Sequence, residues 1–282
     1  MPNWVTNNVK IRAKKDVLAQ IMKDVKSEEM EFDFNNIVPM PESLELESGS
    51  ITDQSIYYSY LQKSGKEKEK MEKLMKETEV FFYGNYWEKL IKVPTTDYEK
   101  QIKEIAEEFK PDEFHQKLGI KTFADLGDMY LHNIKEYGAN NWYDWRYDHW
   151  GTKWNVDEGN LYLSYEKNDI EADIWFETAW SCPFQIFSAL TDKYDCEVEV
   201  KFCDEDYGSD NKGHFTMEKD YVIAHDYEDL ELAAHLLGDF VYGNEDDYEI
   251  EEKIAPVSTP VTKETKKDSK PKKKDKSEDM EM

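Results

Sequence analysis

The stretch from Asn140 to Asn155, NNWYDWRYDHWGTKWN, constrains the fold most, because six of its sixteen residues are aromatic. Four are tryptophans and two are tyrosines, and five titratable side chains stand between them. Large rings stabilise a protein mainly when they leave water, so they either form a core or build a surface made for contact. We expect the packing role, in which the segment joins a helical middle part of the chain to a sheet.

The charged members of the same segment also make it a candidate binding surface. Aromatic rings and arginine supply much of the binding energy at protein interfaces. Tryptophan packing does not explain why Asp144, Arg146 and Lys153 stand where they do, so a binding role is our hypothesis for them. The predicted binding residues are Trp142, Asp144, Trp145, Arg146, Trp150, Lys153 and Trp154.

Two alternative functions use the same segment. The first is a single-stranded nucleic-acid-binding module that stacks bases on the 142–154 aromatic strip, with Arg146 or Lys153 adding polar contacts. The second is an enzyme with a site around Asp144, Arg146 and His149, which requires these side chains to converge in one pocket. Either function would make the segment an exposed surface instead of a core element.

The balance of charge argues against nucleic acid and anionic membranes as partners. The chain has 62 acidic and 36 basic residues and a formal net charge of −26. The segment 256–282 holds eight lysines and six acids, so the excess negative charge lies in 1–255. Proteins that bind phosphate backbones or anionic lipids need clustered lysine and arginine. We therefore expect a protein partner with a basic surface.

Signatures of catalysis, metal binding and cofactor binding are missing from the sequence. It contains no GxSxG, GxxxxGK[ST] or GxGxxG motif, and its six histidines form no HxH or HExxH pattern. Cys182 precedes a predicted helix without an accompanying base, so we expect a small buried residue there. Residues 204–213 lack the spacing of a calcium loop and predict an acidic hairpin loop. We expect no cofactor, no metal and no catalytic residue.

The cysteines and the N-terminal residues predict a cytoplasmic protein. Three cysteines without CxxC spacing fit free thiols in a reducing compartment. The first fifteen residues contain no apolar run of the kind found in signal peptides. No window of the sequence reaches the length of a membrane span.

The first half of the chain starts with strand and helix patterns and then becomes helical. Alternating β-formers predict strands, and apolar residues at every third or fourth position predict helices. Residues 42–64 and 78–97 fit neither pattern clearly. The predicted elements are strands at 4–11 and 32–38 and helices at 14–30, 65–78, 98–109 and 122–137, the last capped by Gly138.

Beyond the aromatic segment the pattern changes to β structure. The aromatic segment itself is predicted to be short and irregular. The tripeptide KND joins two alternating segments as a hairpin, and Pro183 suits the first turn of a helix. The predicted elements are strands at 160–166, 170–178, 196–202 and 213–219 and helices at 184–194 and 230–240.

This order of elements predicts an α+β fold in which helices cover one face of an antiparallel sheet. We divide the chain into three parts. Residues 1–137 form an N-terminal strand-helix-strand followed by a helical region, and residues 138–255 form an α+β domain with an acidic C-terminal segment. Residues 256–282 are rich in lysine and lack large apolar side chains, which predicts a disordered tail.

Three blocks of the sequence together resemble a known protein family. They are MPNWVTNNVKI at 1–11, FDFNNIVPMPESL at 32–44, and the pair NNWYDWRYDHWGTKWN and FETAWSCPFQIFSAL at 140–155 and 176–190. The chain resembles the YubB-type, Api-like family of phage and plasmid proteins with a ferredoxin-like domain. The resemblance covers 1–45 and 138–219 and implies a ferredoxin-like C-terminal part, but it implies no reaction.

The resemblance and the charge lead to one functional expectation. We expect a non-enzymatic accessory protein of a phage or mobile genetic element that binds a host or phage protein in the host cytoplasm. A sharper hypothesis is counter-defence through an acidic surface that mimics DNA. The motif positions that match the family, without an assigned role, are Trp142, Asp144, Trp145, Arg146, Trp150, Gly151, Thr152, Lys153, Trp154 and Asn155.

Overall fold

The residues that a computed structural model describes, 3–77, 96–206, 208–219, 221–226 and 229–237, fold around a six-stranded antiparallel sheet. The strands are β1 (Trp4–Arg12), β2 (Tyr162–Ser164), β3 (Glu171–Ala179), β4 (Glu197–Asp204), β5 (Lys212–Glu218) and β6 (Tyr221–Ala224). They lie in the order β2-β3-β1-β4-β5-β6, so the first strand of the chain is central in the sheet.

Helices occupy most of the remaining described residues. They are α1 (Lys15–Asp24), α2 (Phe34–Ile37), α3 (Ser50–Gln62), α4 (Gly65–Glu77), α5 (Thr96–Glu108), α6 (Glu113–Lys117), α7 (Phe123–Tyr137), α8 (Trp142–Trp150), α9 (Phe184–Tyr194) and α10 (Asp229–Leu237). Short 3₁₀ helices span Glu42–Glu45 and Glu158–Asn160.

The central position of β1 follows from its sequence and its pairing. It pairs with β3 from Trp4↔Ala179 to Arg12↔Glu171, and with β4 on its other edge. Val5, Val9 and Ile11 are fully buried, because their shared face lies under the helices. The sheet therefore combines a strand from residues before 137 with strands from residues after 138.

The main core lies between this face of the sheet and a layer of helices. Helices α1, α2, α8 and α9 contribute buried side chains to it, as do the strands β1, β3, β4 and β5. Its largest fully buried members are Phe32, Phe34, Trp150, Phe176 and Phe187. Rings from four distant parts of the chain therefore meet in one apolar layer, which fixes how those parts sit together.

A second core joins the helices of the middle segment. Helices α3, α4, α5 and α7 supply its buried side chains. The Cα of Gly127 lies so close to α3 that an added Cβ would approach the Ser55 carbonyl oxygen to 2.1 Å. Helix α7 begins with a capping box between Thr122 and Asp125 and ends at Gly138, which has φ 76°.

The opposite face of the sheet is largely polar and is partly covered by α10. Leu232 and Leu236 of α10 pack on Cys203 and Trp175. At the end of β1, Arg12 donates hydrogen bonds to three carboxylates, those of Glu171 at 2.6 Å, Glu197 at 2.6 Å and Glu199 at 2.7 Å. These ion pairs tie β1 to both of its neighbouring strands.

The predicted α+β fold is confirmed, and so are most of the predicted elements. Segment 32–38 is an exception, because it forms the short helix α2 instead of a strand. The Asp33 carboxylate caps this helix by accepting a hydrogen bond from the Asn35 N–H at 2.8 Å. Phe32 and Phe34 are both buried, so alternating apolar residues here mark a tight turn into the core.

Three further differences concern single helices and strands. The helix predicted at 14–30 ends at Asp24, and the unassigned residues 42–64 contain α3. Strand β6, which the sequence pattern did not predict, pairs with β5 at the edge of the sheet. The predicted disordered tail, 256–282, lies outside the described residues.

Candidate functional site

The aromatic segment forms the regular helix α8 and not the irregular segment that we predicted. The Asn141 side chain caps its start by accepting a hydrogen bond from the Tyr143 N–H at 3.0 Å. Gly151, with φ 81°, ends it. A Cβ at Gly151 would lie 2.2 Å from the side-chain oxygen of Gln185 and 3.1 Å from the Phe184 backbone nitrogen, so glycine is required there.

Two tryptophans of α8 belong to the main core. Trp150 is 1% exposed, and its indole N–H donates to the Val38 carbonyl at 2.9 Å. Trp145 is 4% exposed, and the His149 ring stacks on it at 4.2 Å with an interplanar angle of 6°. The expected packing role is therefore correct for these two rings.

Arg146 connects α8 to the 3₁₀ helix Glu42–Glu45. Its guanidinium lies 5.2 Å from the Trp142 ring and 4.9 Å from the Trp150 ring, and it donates to the Glu45 carboxylate at 2.9 Å. The Arg146 Nε is buried and has no hydrogen-bond partner among the described residues. Only 18% of the Arg146 side chain is exposed, so most of its contacts are with other residues of the protein and not with solvent.

Lys153 lies in a different aromatic environment, which we call the Lys153 cluster: Trp4, Tyr143, Lys153, Trp154 and Trp180. The Lys153 ammonium lies 4.7 Å from the Trp154 ring, 4.7 Å from the Trp180 ring and 5.3 Å from the Tyr143 ring. The Trp4 and Trp154 rings are 5.8 Å apart, and those of Tyr143 and Trp180 are 6.0 Å apart. The cluster joins the start of β1, helix α8 and the end of β3.

Trp180 is the exposed member of the Lys153 cluster and has an unusual backbone. Its φ is 72°, in the left-handed region that large side chains rarely adopt, and 37% of its surface is exposed. Its N–H donates to the Asn3 carbonyl at 2.9 Å, and its carbonyl accepts from the Asn211 side chain at 2.8 Å. These bonds hold the ring at the surface in a conformation that costs backbone energy.

Carboxylates adjoin the Lys153 cluster. The Glu205 carboxylate accepts a hydrogen bond from the Trp4 N–H at 3.2 Å. Burial raises the pKa of Glu177, and the nearby Asp157 and Glu205 carboxylates raise it further. No carboxylate among the described residues forms an ion pair with Lys153. The surface therefore combines the exposed Trp180 ring with carboxylates close to Trp4.

The three side chains of the enzyme hypothesis have separate surroundings. Arg146 is bound to Glu45, and His149 stacks on Trp145. Burial raises the pKa of Asp144, and the Asp148 carboxylate raises it further. Burial also raises the pKa of the Cys182 thiol, which opposes a nucleophilic role. None of these contacts brings Asp144, Arg146 and His149 together around a common centre.

Three further features of the described residues bear on metal binding, membrane insertion and the predicted acidic loop. Among the described residues, no group of three or more His, Cys, Asp and Glu side chains is placed to hold a metal ion. Within the same residues, the helices are too short or too polar to cross a membrane. The predicted acidic loop at 204–213 connects β4 and β5 as a hairpin, as expected.

The sequence pattern did not identify Trp4, Tyr143 and Trp180 as site residues. Each belongs to a different element, and their neighbours in sequence gave no sign that they meet. Trp180 follows the alternating strand β3 and precedes Ser181, Cys182 and Pro183. Of these residues, the sequence pattern marked only Cys182 and Pro183 as notable. An exposed tryptophan at a strand end is the signal that could have marked the position.

Comparisons with known proteins support the fold of the C-terminal part. Residues 149–253 match the family model described as a ferredoxin-like domain in Api92-like protein. The predicted resemblance to Api-like proteins is thus confirmed for this part of the chain. A crystal structure of a protein api92 from Yersinia pseudotuberculosis matches with 11% identity and a TM-score of 0.38, covering 81% of this chain and 99% of that one. No curated protein matches the chain by sequence.

Proposed function

We propose that the protein is a non-enzymatic binding protein whose Lys153 cluster contacts a basic surface of a partner protein. The observation that carries the proposal is the exposed Trp180 ring, which lies in the same cluster as Trp4, whose N–H donates to the Glu205 carboxylate. The partner is a host or phage protein, and the setting is the host cytoplasm during the activity of a phage or mobile element.

The chemistry of the cluster supports a basic protein partner. A guanidinium or ammonium group binds favourably to the face of an exposed tryptophan, and nearby carboxylates strengthen the attraction. Tryptophan is enriched among the residues that dominate interface energies. The strained Trp180 backbone is further support, because such strain is concentrated at functional positions.

Single-stranded nucleic acid is a weaker candidate at this surface. Base stacking on aromatic residues is normally combined with a positively charged groove along the backbone. In the Lys153 cluster the one cation is surrounded by rings, and the adjoining charges are the Glu177 and Glu205 carboxylates. A phosphate backbone would be repelled from this surface.

The counter-defence hypothesis is a specific form of this proposal. It requires the acidic surface to occupy a site that normally receives DNA. The net charge of −26 supports such a role by attracting basic DNA-binding surfaces. Competition between the protein and duplex DNA for the captured partner tests this form. A partner that binds DNA and this protein simultaneously would contradict mimicry and leave simple protein binding in place.

Partner capture with matched variants tests the proposal. The immobilised full chain is exposed to host lysate at several salt concentrations, and the captured proteins are compared with those held by Trp180→Ala and Tyr147→Ala. Tyr147 is a suitable control because it is 52% exposed and lies on α8 outside the Lys153 cluster.

The expected result is a basic partner whose affinity falls with salt and falls about thirtyfold in Trp180→Ala, the size of effect that an interface tryptophan has. Tyr147→Ala should bind it normally. Retention of the partner by Trp180→Ala, or binding that ignores salt, would contradict the proposal.

A further inference from the structure

A second surface lies at the outer edge of β6, at the end of the sheet opposite to β2. Phe184 of α9 and Tyr221 and Val222 of β6 are 42%, 49% and 46% exposed. Exposed apolar side chains beside a concave surface are typical of a site that another chain covers. The groove between them has a volume of about 420 Å³ and is lined by Phe184, Ser188, Thr191, Asp192, Met217, Glu218, Tyr221 and Val222.

Within the part of the chain that the structure describes, the backbone of β6 has hydrogen-bonding groups on that side that pair with no strand. Among the described residues, no strand pairs with its outer edge. The His225 N–H donates to the His214 carbonyl at 2.9 Å, and the register places Ala224 opposite Phe215. Hydrogen-bonded and non-hydrogen-bonded pairs alternate in an antiparallel ladder, so the N–H and C=O groups of Val222 and Ala224 point away from β5. These groups can pair with one more strand.

The two faces of such an added strand would meet different surroundings. Val222 lies opposite the buried Met217, so its side chain faces the helices. An added strand would place alternate side chains there, against Phe184 and Val222. The other side chains would lie near Tyr221, whose hydroxyl donates to the Glu218 carboxylate at 2.7 Å.

Charge decides what kind of strand fits. The residues that line the groove include the acidic Asp192 and Glu218 and no Lys, Arg or His. Glu218 lies opposite Tyr221, so its carboxylate would attract lysine or arginine at the polar positions of an added strand, while Asp192 of α9 adds negative charge on the helix side. A second copy of this chain is disfavoured as the occupant, because it carries the same net charge of −26.

We propose that the outer edge of β6 and the groove beside α9 bind an extended segment of a basic protein, in which apolar side chains alternate with lysine or arginine. This site is separate from the Lys153 cluster and does not depend on the function proposed for that cluster. The bound segment adds a seventh strand to the sheet and inserts its apolar side chains between Phe184 and Val222.

Fluorescence anisotropy with three labelled heptapeptides tests the proposal on the full chain. One alternates lysine with valine, the second alternates glutamate with valine, and the third is the lysine peptide with proline at its centre. The lysine peptide should bind most tightly. The other two should bind at least about tenfold more weakly, because one is repelled and the other lacks a backbone donor.

Two variants locate the site. Val222→Pro removes one outward N–H without breaking a bond to β5, and Asp192→Lys reverses an exposed charge without touching the core. Each should weaken the lysine peptide about tenfold. Tyr147→Ala, which changes an exposed ring that belongs neither to the groove nor to the Lys153 cluster, should bind it normally.

Three results would overturn the proposal. The first is equal binding of the lysine and glutamate peptides, and the second is unchanged peptide binding by Asp192→Lys. The third is a concentration-dependent dimer in sedimentation that Val222→Pro abolishes, since a second copy would then occupy the edge. Circular dichroism of Val222→Pro shows whether the variant is folded, and Asp192→Lys decides the matter if it is not.

Discussion

Arg146 and Lys153 lie on either side of the end of α8, each among aromatic rings, yet their surroundings differ in kind. Arg146 is enclosed between Trp142 and Trp150 and paired with Glu45. Among the described residues, Lys153 forms no ion pair and contacts the rings of Tyr143, Trp154 and the exposed Trp180. A cation with a carboxylate partner and little exposure stabilises the fold, whereas one among half-exposed rings leaves surface for a partner.

The largest expected effect comes from removing the ring that supports Arg146. Trp150→Ala should lower the free energy of unfolding by about 3–5 kcal/mol, because it leaves a cavity in the main core and an unpaired Val38 carbonyl. Urea unfolding followed by circular dichroism measures the loss. Trp154→Ala, at a half-buried ring beside Lys153, is the control and should cost clearly less. Equal losses would remove the distinction between the two sites.

Gly151 separates the two sites in the chain, and its substitution should have the next largest effect. Gly151→Ala places a Cβ against Gln185 and Phe184 at a positive φ. We expect a loss of about 2 kcal/mol in the free energy of unfolding. Thermal unfolding measures it, and Gly138→Ala serves as the comparison because its Cβ would meet no atom within 4 Å. If Gly151→Ala costs no more than Gly138→Ala, the close contact at Gly151 has no energetic weight.

Replacing each of the two cations by methionine tests the comparison between Arg146 and Lys153 directly. Arg146→Met should cost about 1–2 kcal/mol, because it removes an ion pair and contacts with two rings at a mostly buried position. Lys153→Met should cost about 0.5 kcal/mol or less, since a thioether also packs well on aromatic rings. Chemical denaturation of both variants under one condition gives the answer. A larger loss at Lys153 would reverse our assignment of roles.

The smallest expected effect concerns the carboxylates beside Lys153 and their dependence on pH. The folded protein holds the pKa of Glu177 above its usual value, so the folded state binds this proton more tightly than the unfolded state does. The charged form therefore lowers stability at neutral pH, and the penalty disappears as the pH falls below the unfolded pKa. Glu177→Gln should stabilise the protein by about 0.5 kcal/mol at pH 8, after allowance for solvent screening.

Unfolding experiments from pH 8 to pH 4 check this prediction. The advantage of Glu177→Gln over the unmodified protein should shrink with falling pH and vanish near pH 4. Glu45→Gln is the contrasting variant, because its carboxylate is paired with Arg146 and its removal should not stabilise the protein. A Glu177→Gln advantage that is independent of pH would exclude the carboxylate as its cause.

Local signals in the sequence were sufficient for elements that carry their own start and stop. Helix α7 was predicted because one of its faces is apolar and Gly138 suits its end, and the structure adds the cap at Thr122. Strand β1 was predicted from its alternation. The α+β fold followed from the order of such elements, because few arrangements bury their apolar faces together.

The rest depends on contacts between distant residues, which no local pattern contains. Helix α8 carries rings on more than one side, because Trp145 and Trp150 enter the core while Tyr147 is exposed, so it shows no helical periodicity. The Lys153 cluster forms because the end of β3 brings Trp180, and the start of β1 brings Trp4, next to rings of the aromatic segment. Segment 32–38 alternates like a strand, but the Asp33 cap and two buried rings make it turn instead.

The central position of β1 has a consequence for how the protein is made. Arg12 pairs with Glu171 across 159 residues, so β1 leaves the ribosome long before the strands β3 and β4 with which it pairs. The helical middle segment is synthesised in between and its core lies within residues 46–134, so it can fold while β1 is still unpaired. During that interval the apolar side of β1 is open to other chains. We expect the yield of folded protein to depend on temperature and on chaperones more than on the final stability.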